Sequence, residues 1–311
     1  MNPDRLPISV VVLTHDEARN IGDCLASVGR WAQHVFVVDS GSSDGTVALA
    51  ERAGASVVTH PFETHARQWR WALESLPIAT EWVLALDADQ RLTPELQQEL
   101  EARFRSGGPA DVDGFFLNRR QIFRGRWIRH GGYYPKYLLK LFRRGRVSID
   151  ETDLVDHHFV VAGATARCRH DLIEDNRNEA AIAAWTAKHN RYAVLQARQE
   201  LRARARRTRV PLRAILSHPD DRVRWLKQRW MSLPLFVRPC LYVTYRYVLR
   251  LGVLDGREGF IFHVLQAFWY RLLVDININE QQMQAGPAAL GDAAPARNSL
   301  REGRSDRSGH P

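Results

Sequence analysis

Along the first third of this chain, short β-branched runs alternate with segments whose apolar residues recur every three to four positions. Ile8–Leu13, Val35–Asp39, Ser56–His60 and Trp82–Asp87 have the length and composition of buried parallel strands. Between them, Ile21, Leu25 and Val28 form one stripe of a helix over Glu17–Val28. A second helix is capped by Asp44 and runs through Ala53, and a third spans Arg67–Leu76. Thr93 caps a fourth, with Pro94 at its first position. Asp113–Asn118 opens a less regular region, expected to be antiparallel, that continues through Phe142. Alternation of this kind predicts a mostly parallel sheet with helices on both faces.

From Asn178 the period is helical. Ile182, Trp185, His189, Tyr192 and Leu195 mark a long helix leading into Arg198–Arg213, a stretch with seven arginines. Val223–Met231, Leu235–Leu251 and Gly259–Val274 follow, aromatic-rich with scattered arginine. Beyond Gln281 the Ala, Gly, Pro, Ser and Arg content reads as a disordered tail. The chain thus divides into an α/β domain over 7–176, a helical basic and aromatic region over 177–280, and a tail over 281–311.

An apolar fraction of 45% and a charged fraction of 25% are those of a soluble globular protein. The net charge of +9, carried mostly by arginine, implies attraction to polyanions: nucleic acid, anionic lipid or nucleotide phosphates. Three isolated cysteines, Cys24, Cys168 and Cys240, fit a reducing cytoplasm rather than a disulfide framework. Met1–Pro7 lacks the pattern of a signal peptide, and no stretch reaches about 18 uninterrupted apolar residues, so no spanning helix is expected.

The candidate chemistry lies at strand ends. Val35–Asp39 runs into Ser40-Gly41-Ser42-Ser43-Asp44-Gly45-Thr46, and Trp82–Leu86 runs into Asp87-Ala88-Asp89. A carboxylate ending a buried strand sits at the carboxyl edge of an α/β sheet, where ligands of open sheets bind. Asp-Ala-Asp directs two carboxylates to one side of an extended segment, which suits a hard divalent cation that also holds phosphate oxygens. Together they point to a site for a nucleotide diphosphate and a metal. Asp44 by itself reads as a helix cap, and Asp39 by itself reads as either strand-end solvation or binding.

In this order and spacing, Val10–Ile21, Val37–Thr46 and Asp87-Ala88-Asp89 resemble the family 2 glycosyltransferases over about residues 7–120. The resemblance implies the GT-A fold, a Rossmann-like, mostly parallel sheet that binds nucleotide-diphospho-sugars, here with a helical C-terminal extension. It implies that Thr14 and Glu17 contact the nucleotide and that Asp39 accepts hydrogen bonds from base or ribose. Ser40, Gly41 and Asp44 would shape the turn, with Gly41 at positive φ. Asp89 would touch the metal, Mg²⁺ or Mn²⁺, and Asp87 the ribose or the metal through water. The family more often has Asn where Asp16 stands.

Later stretches resemble members that build lipopolysaccharide core and exopolysaccharide, and extend the likeness to about residues 7–280. These are Lys140–Gly145, Val155–Gly163, His170–Asn176, Lys188–Ala193 and Leu254–Gly259. His157 stands where that subgroup has Glu. The resemblance implies inverting transfer from a nucleotide-sugar, UDP being the commonest nucleotide, to a glycan or lipid-linked acceptor of the cell envelope. Displacement at an anomeric carbon needs a base for the acceptor hydroxyl proton. Asp156 and His157 are the candidates, with Glu151 and Asp153 in reserve. Lys136, Arg143 and Arg144 offer charge to the leaving diphosphate. His157 and His158 with Glu151 match no standard zinc spacing.

Aromatic and basic residues on the C-terminal helices suit a lipid interface, so peripheral association with the inner face of the cytoplasmic membrane is expected. Nucleic acid is not an expected partner, because the arginines lie outside any recognised binding module. Two rival readings are a catalytically inactive glycan- or partner-binding relative and a nucleotidyltransferase. The latter would want a Gly-rich loop near the first strand, and Leu13–Ile21 has no glycine.

Overall fold

The structure, a computed structural model, describes residue 2 and residues 4–149, 158–205, 225–226 and 229–285. Strand β1 (Leu6–Thr14) lies at the centre of the parallel half, between β2 (Ala32–Asp39) and β4 (Trp82–Asp87), with β3 (Ser56–Thr59) outside β2. Its apolar residues alternate between two cores, as the pleat requires. Val10 and Val12 pack with Leu84, Leu86 and Leu141 against α1 (Ile21–Ala26) and α4 (Pro94–Phe104). Val11 and Leu13 pack with Val38, Val83 and Phe142 against Trp69 and Ala72 of α3 (His65–Ser75). Both faces are therefore covered, which is why these strands read as continuous apolar runs. The register pairs Thr14 with Asp39 and Leu13 with Asp87, so three polar strand ends finish at one edge.

Beyond β4 the sheet turns antiparallel. Following β5 (Gln90–Leu92), the chain forms β6 (Gly114–Phe123), β7 (Arg126–Ile128) and β8 (Tyr137–Arg143). A small hairpin, β9 (Val147–Ile149) and β10 (Phe159–Val161), precedes β11 (Thr165–Glu174). The order is β3-β2-β1-β4-β8-β6-β11-β5, with β7 on β6. Strand β8 is antiparallel to β4, and β11 runs parallel to β6 with Glu174 opposite Gln90 of β5.

Three helix starts depart from the periodicity. Helix α1 begins at Ile21 rather than Glu17, because Asp16 is left-handed (φ +54°) and the N–H groups of Glu17 and Ala18 donate to the side chains of Thr46 and Asp44. Helix α2 (Thr46–Arg52) starts at the same contact, with Asp44 accepting from the Thr46 N–H at 2.9 Å. Helix α3 starts at His65, where Thr64 accepts from the Arg67 N–H.

The C-terminal region is helical. Helix α5 (Ile182–Ala205) is followed, after a gap in the described residues, by α6 (Val237–Thr244), which continues as a π-helical turn over Tyr245–Leu249. Helix α7 (Gly256–His263), a π-helical stretch over Val264–Trp269 and α8 (Tyr270–Ala285) form one continuous rod. That rod runs four residues past Gln281; the rest of the expected tail, like Arg206–Arg213 of the arginine-rich stretch, lies outside the described residues. Helix α8 packs on α5 through Ala193, Ala197, Tyr270, Val274 and Ile278. Nearby, buried Arg238 is held between Glu200 (3.0 Å) and Asp275. Phe123 and Ile128 of the sheet meet Trp185 and Phe262, which docks the helical region on the α/β domain.

Gly252–Gln284 is long and apolar enough to cross a bilayer, where the sequence led us to expect no such segment. Arg271 and Asp275 break its apolar run, and each is tied into the helical ion network, Arg271 to Glu200 and Asp275 to Arg238. All three cysteines are free; Cys24 and Cys168 are buried and Cys240 is exposed on α6.

Candidate active site

The β1–α1 loop is tied down from two sides. Asp16 takes a left-handed conformation that short polar residues tolerate. Its carboxylate accepts from the Ser43 N–H at 2.7 Å, which holds its pKa below the ordinary value. From the other side, Asn178 donates to the Asp16 carbonyl (2.9 Å) and to Glu17 (3.1 Å), while Arg177 N–H donates to the Asn20 side chain (3.1 Å). The segment after β11 thus clasps the loop after β1, and their joint edge opens on a cleft of about 560 Å³.

Carboxylates crowd one wall of this cleft. Asp87, Asp89, Glu17 and Glu174 all line it. Burial pushes the Asp89 carboxyl well above the ordinary range, and the charges of Glu174, Asp87 and Glu17 push it further, against the pull of Lys188. Burial likewise raises Glu17, partly offset by its hydrogen bond from Asn20 at 2.5 Å. Cations stand beside the acids. Lys140, buried on β8, pairs with Asp87 at 2.8 Å, and Arg119 on β6 pairs with Glu174 at 2.8 Å. Burial would lower the Lys188 ammonium, but Glu179 at 2.5 Å, Tyr192 and Asp89 outweigh it and the net shift is upward.

At the cleft wall, some buried polar atoms have no hydrogen bond among the described residues. Thr14 Oγ1, at the end of β1, and Arg119 Nε are buried without a hydrogen bond, and both residues line the cleft. A buried polar group left unpaired costs free energy, so water or a ligand atom completes the bonding of these two.

Of the residues singled out in the sequence, Thr14, Glu17, Asp87 and Asp89 come together in the cleft. Asp39 stands behind its wall. Its Oδ2 accepts from the Gly41 and Ser42 N–H groups (2.9 Å each) and its Oδ1 from the Ser42 hydroxyl (2.5 Å). This fixes the turn, with Gly41 at φ +86°, that presents Ser40 to the cleft. Asp156, His157, Glu151 and Asp153 lie outside the described residues. Lys136, Arg143 and Arg144 do not line the cleft; Arg143 stacks on Trp82 (4.7 Å) and donates to the Val112 carbonyl. The cations that do serve it, Arg119, Lys140 and Lys188, were not singled out in the sequence, nor were Glu174 and Tyr192. Four of these five, Lys140, Glu174, Lys188 and Tyr192, lie in the later stretches that carry the resemblance, but nothing local marks them as site residues.

Among the described residues no three His, Cys, Asp or Glu side chains form a ready set of metal ligands. One or two carboxylates are what a Mg²⁺-like ion takes from a protein when phosphate and water supply the rest. Asp89, repelled by its acidic neighbours, and Asp87 fit that donor set.

A parallel half-sheet whose strand ends carry acids, an antiparallel insertion and a helix closing the cleft make this an α/β protein of the GT-A kind. A profile of glycosyl transferase family 2 matches residues 9–173, and the chain belongs to that family. An uncharacterized glycosyltransferase of Rickettsia felis is 42% identical over 99 residues, which are 32% of this chain and 34% of the relative. This chain's match therefore spans about a third of that relative's length. The lipopolysaccharide core biosynthesis glycosyltransferase LpsC of Rhizobium meliloti is 28% identical over 207 residues, covering 63% of this chain and 73% of LpsC. Among solved structures, the mannosyltransferase PcManGT of Pyrobaculum calidifontis, in complex with GDP-Man and Mn²⁺, aligns with a TM-score of 0.46. It is 15% identical, with 90% of this chain and 89% of that one covered.

Proposed function

We propose that this chain is an inverting, metal-dependent transferase that moves a sugar from a nucleotide-diphospho-sugar to a cell-envelope glycan or glycolipid. The acceptor class is that of lipopolysaccharide core or exopolysaccharide, met at the inner face of the cytoplasmic membrane. The observation that carries the reading is the Asp89-centred crowd of carboxylates facing Lys188 and Arg119 in one cleft. The likeness to LpsC supports the acceptor class.

Asp89, with Asp87, would hold Mg²⁺ or Mn²⁺, which supplies neutralising charge to the donor diphosphate. Thr14 Oγ1 gains the partner it lacks from the bound nucleotide. Asp39 sets the nucleoside end through the turn it fixes. Glu17 keeps Asn20 and Asn178, and hence the loop, in place. As the acceptor oxygen bonds to the anomeric carbon, the bond from that carbon to the diphosphate breaks with inversion. Lys188 and Arg119 then face the negative charge that collects on the leaving group. The hydroxyl proton passes to a base, for which Asp156 and His157 are the candidates.

The test is a titration of UDP, GDP and dTDP into purified protein, with and without Mn²⁺, beside Asp89→Ala. Metal-dependent binding of one nucleotide, weakened at least tenfold in the variant, is expected. No binding of any nucleotide by a folded sample would overturn the assignment.

A further inference from the structure

Ten of the fourteen exposed large hydrophobic residues among those described fall between Phe236 and Phe260, in the helical region rather than the α/β domain. Val237, Leu241, Tyr245 and Leu249 recur every four residues along α6 and its π-helical continuation, and so share one face; Leu249 is 69% exposed. At 1.5 Å per residue the stripe is roughly 20 Å long. Phe260 of α7, 50% exposed, adjoins it through Tyr247, whose ring lies 5.6 Å away, edge to face. At the two ends of the stripe, Phe236 (φ +67°) and Leu251 (φ +59°) are left-handed, a conformation bulky residues rarely adopt. Each of these turns leaves about half of an apolar residue in solvent, 46% of Phe236 and 53% of Leu251.

Charge decides what covers this face. From Arg229 to Asn279 the only carboxylates are Asp255, Glu258 and Asp275, and each is turned inward and paired with His130, Arg124 and Arg238 respectively. Arg250 and Arg257 are exposed beside the apolar residues. A second copy on the same face would set these arginines against their own counterparts, since a two-fold interface is self-complementary. An anionic lipid surface instead matches both features, taking the apolar stripe at the acyl boundary and the arginines at its phosphates.

We propose that the Phe236–Phe260 face is a bilayer-docking surface for anionic membranes, laid flat so that the stripe enters the headgroup–acyl boundary. The inference deepens the reading above and rests on it only for the lipid-linked acceptor. A chain of contacts joins the face to the cleft. The Arg250 carbonyl accepts from Gly131 N–H (2.9 Å), and Asp255 accepts from the backbone of Arg129 (3.2 Å) and His130 (2.9 Å). Farther along that loop the Lys136 carbonyl accepts from the N–H of Arg119, which lines the cleft. Docking thereby fixes the cleft's height above the membrane plane.

The experiment is co-sedimentation of the full chain with vesicles of phosphatidylglycerol and phosphatidylethanolamine, against phosphatidylcholine alone. The double variant Leu249→Glu, Leu254→Glu runs alongside, with light scattering and Mn²⁺-dependent nucleotide binding measured on each. Both leucines are exposed, so the fold tolerates the change. Expected are pelleting with anionic vesicles that salt weakens, a loss of at least tenfold in the variant, and unchanged nucleotide binding. Undiminished vesicle binding by the variant, or no pelleting of the parent chain, would overturn the proposal. A parent dimer that the variant disperses would assign the face to a second copy and overturn it as well. Failure of nucleotide binding alone, with vesicle binding kept, would remove the transferase reading and leave the docking surface standing.

Discussion

At Asp89 burial and three neighbouring carboxylates outweigh the pull of Lys188, and the folded chain binds that proton more tightly than the unfolded chain does. Linkage then fixes a direction. The metal-free fold gains stability as pH falls through the raised value toward the ordinary 3.8, and loses it again as pH rises. Asp89→Asn removes the charge without removing the shape. We expect it to raise the melting temperature of the metal-free protein at pH 7.5 by about 2 °C or more and to flatten its rise on acidification, while abolishing Mn²⁺-dependent nucleotide binding. Differential scanning fluorimetry from pH 5 to 8 checks this; an unchanged or lower melting temperature contradicts it. At this scale the two aspartates were legible, because Asp-x-Asp after an apolar strand is a local pattern. Their cations were not, because each arrives from another strand or helix. Lys140 meets Asp87 only because β8 runs antiparallel to β4 with Leu141 opposite Leu84. Lys140 itself falls at a register shift, between Leu141 opposite Phe115 and Leu139 opposite Phe116, so alternation along β8 does not assign its face. Arg143, in the same motif, lies opposite Trp82 and stacks on it.

Among the elements, the connection from β7 to β8 shows most clearly how distant segments fix one another. Gly131 is left-handed (φ +68°), and a Cβ there would fall 2.0 Å from the buried His263 ring. Desolvation beside Arg246 pushes His263 down to about 4, so it packs as a neutral ring. Asp255, 2% exposed, meets the same connection with three hydrogen bonds, two from backbone N–H groups and one from the His130 ring at 2.7 Å. Asp255→Ala is expected to cost about 1–3 kcal/mol, since it strips two part-buried backbone donors of a charged partner, with urea unfolding as the measurement. A loss under 0.5 kcal/mol would show that water replaces the carboxylate. The strands of the parallel half were readable from length and β-branching, and β4 matches its expected limits. The start of α1 was not, because a tertiary contact from Asp44 and Thr46 takes the N–H groups that its first turn would have left free.

Taken as a molecule, the chain builds its cleft from residues on both sides of position 176, where its composition changes. Helix α5 supplies Lys188 and Tyr192 to the cleft, and Asn178 bonds to the first loop. The change from α/β alternation to helical period marks a change of architecture without marking the limit of the site. One feature of the whole chain has a practical use. Burial and the nearby acids hold the Cys24 thiol up, and burial likewise raises Cys168 to about 12, so neither presents a thiolate to a reagent. Cys240 alone of the three is exposed, on the helix that carries Val237 and Leu241. Native protein treated with a maleimide should therefore take up one label per chain by intact mass, rising to three only on denaturation. An environment-sensitive dye attached there, with no engineered cysteine, becomes a built-in optical probe of whatever this face meets.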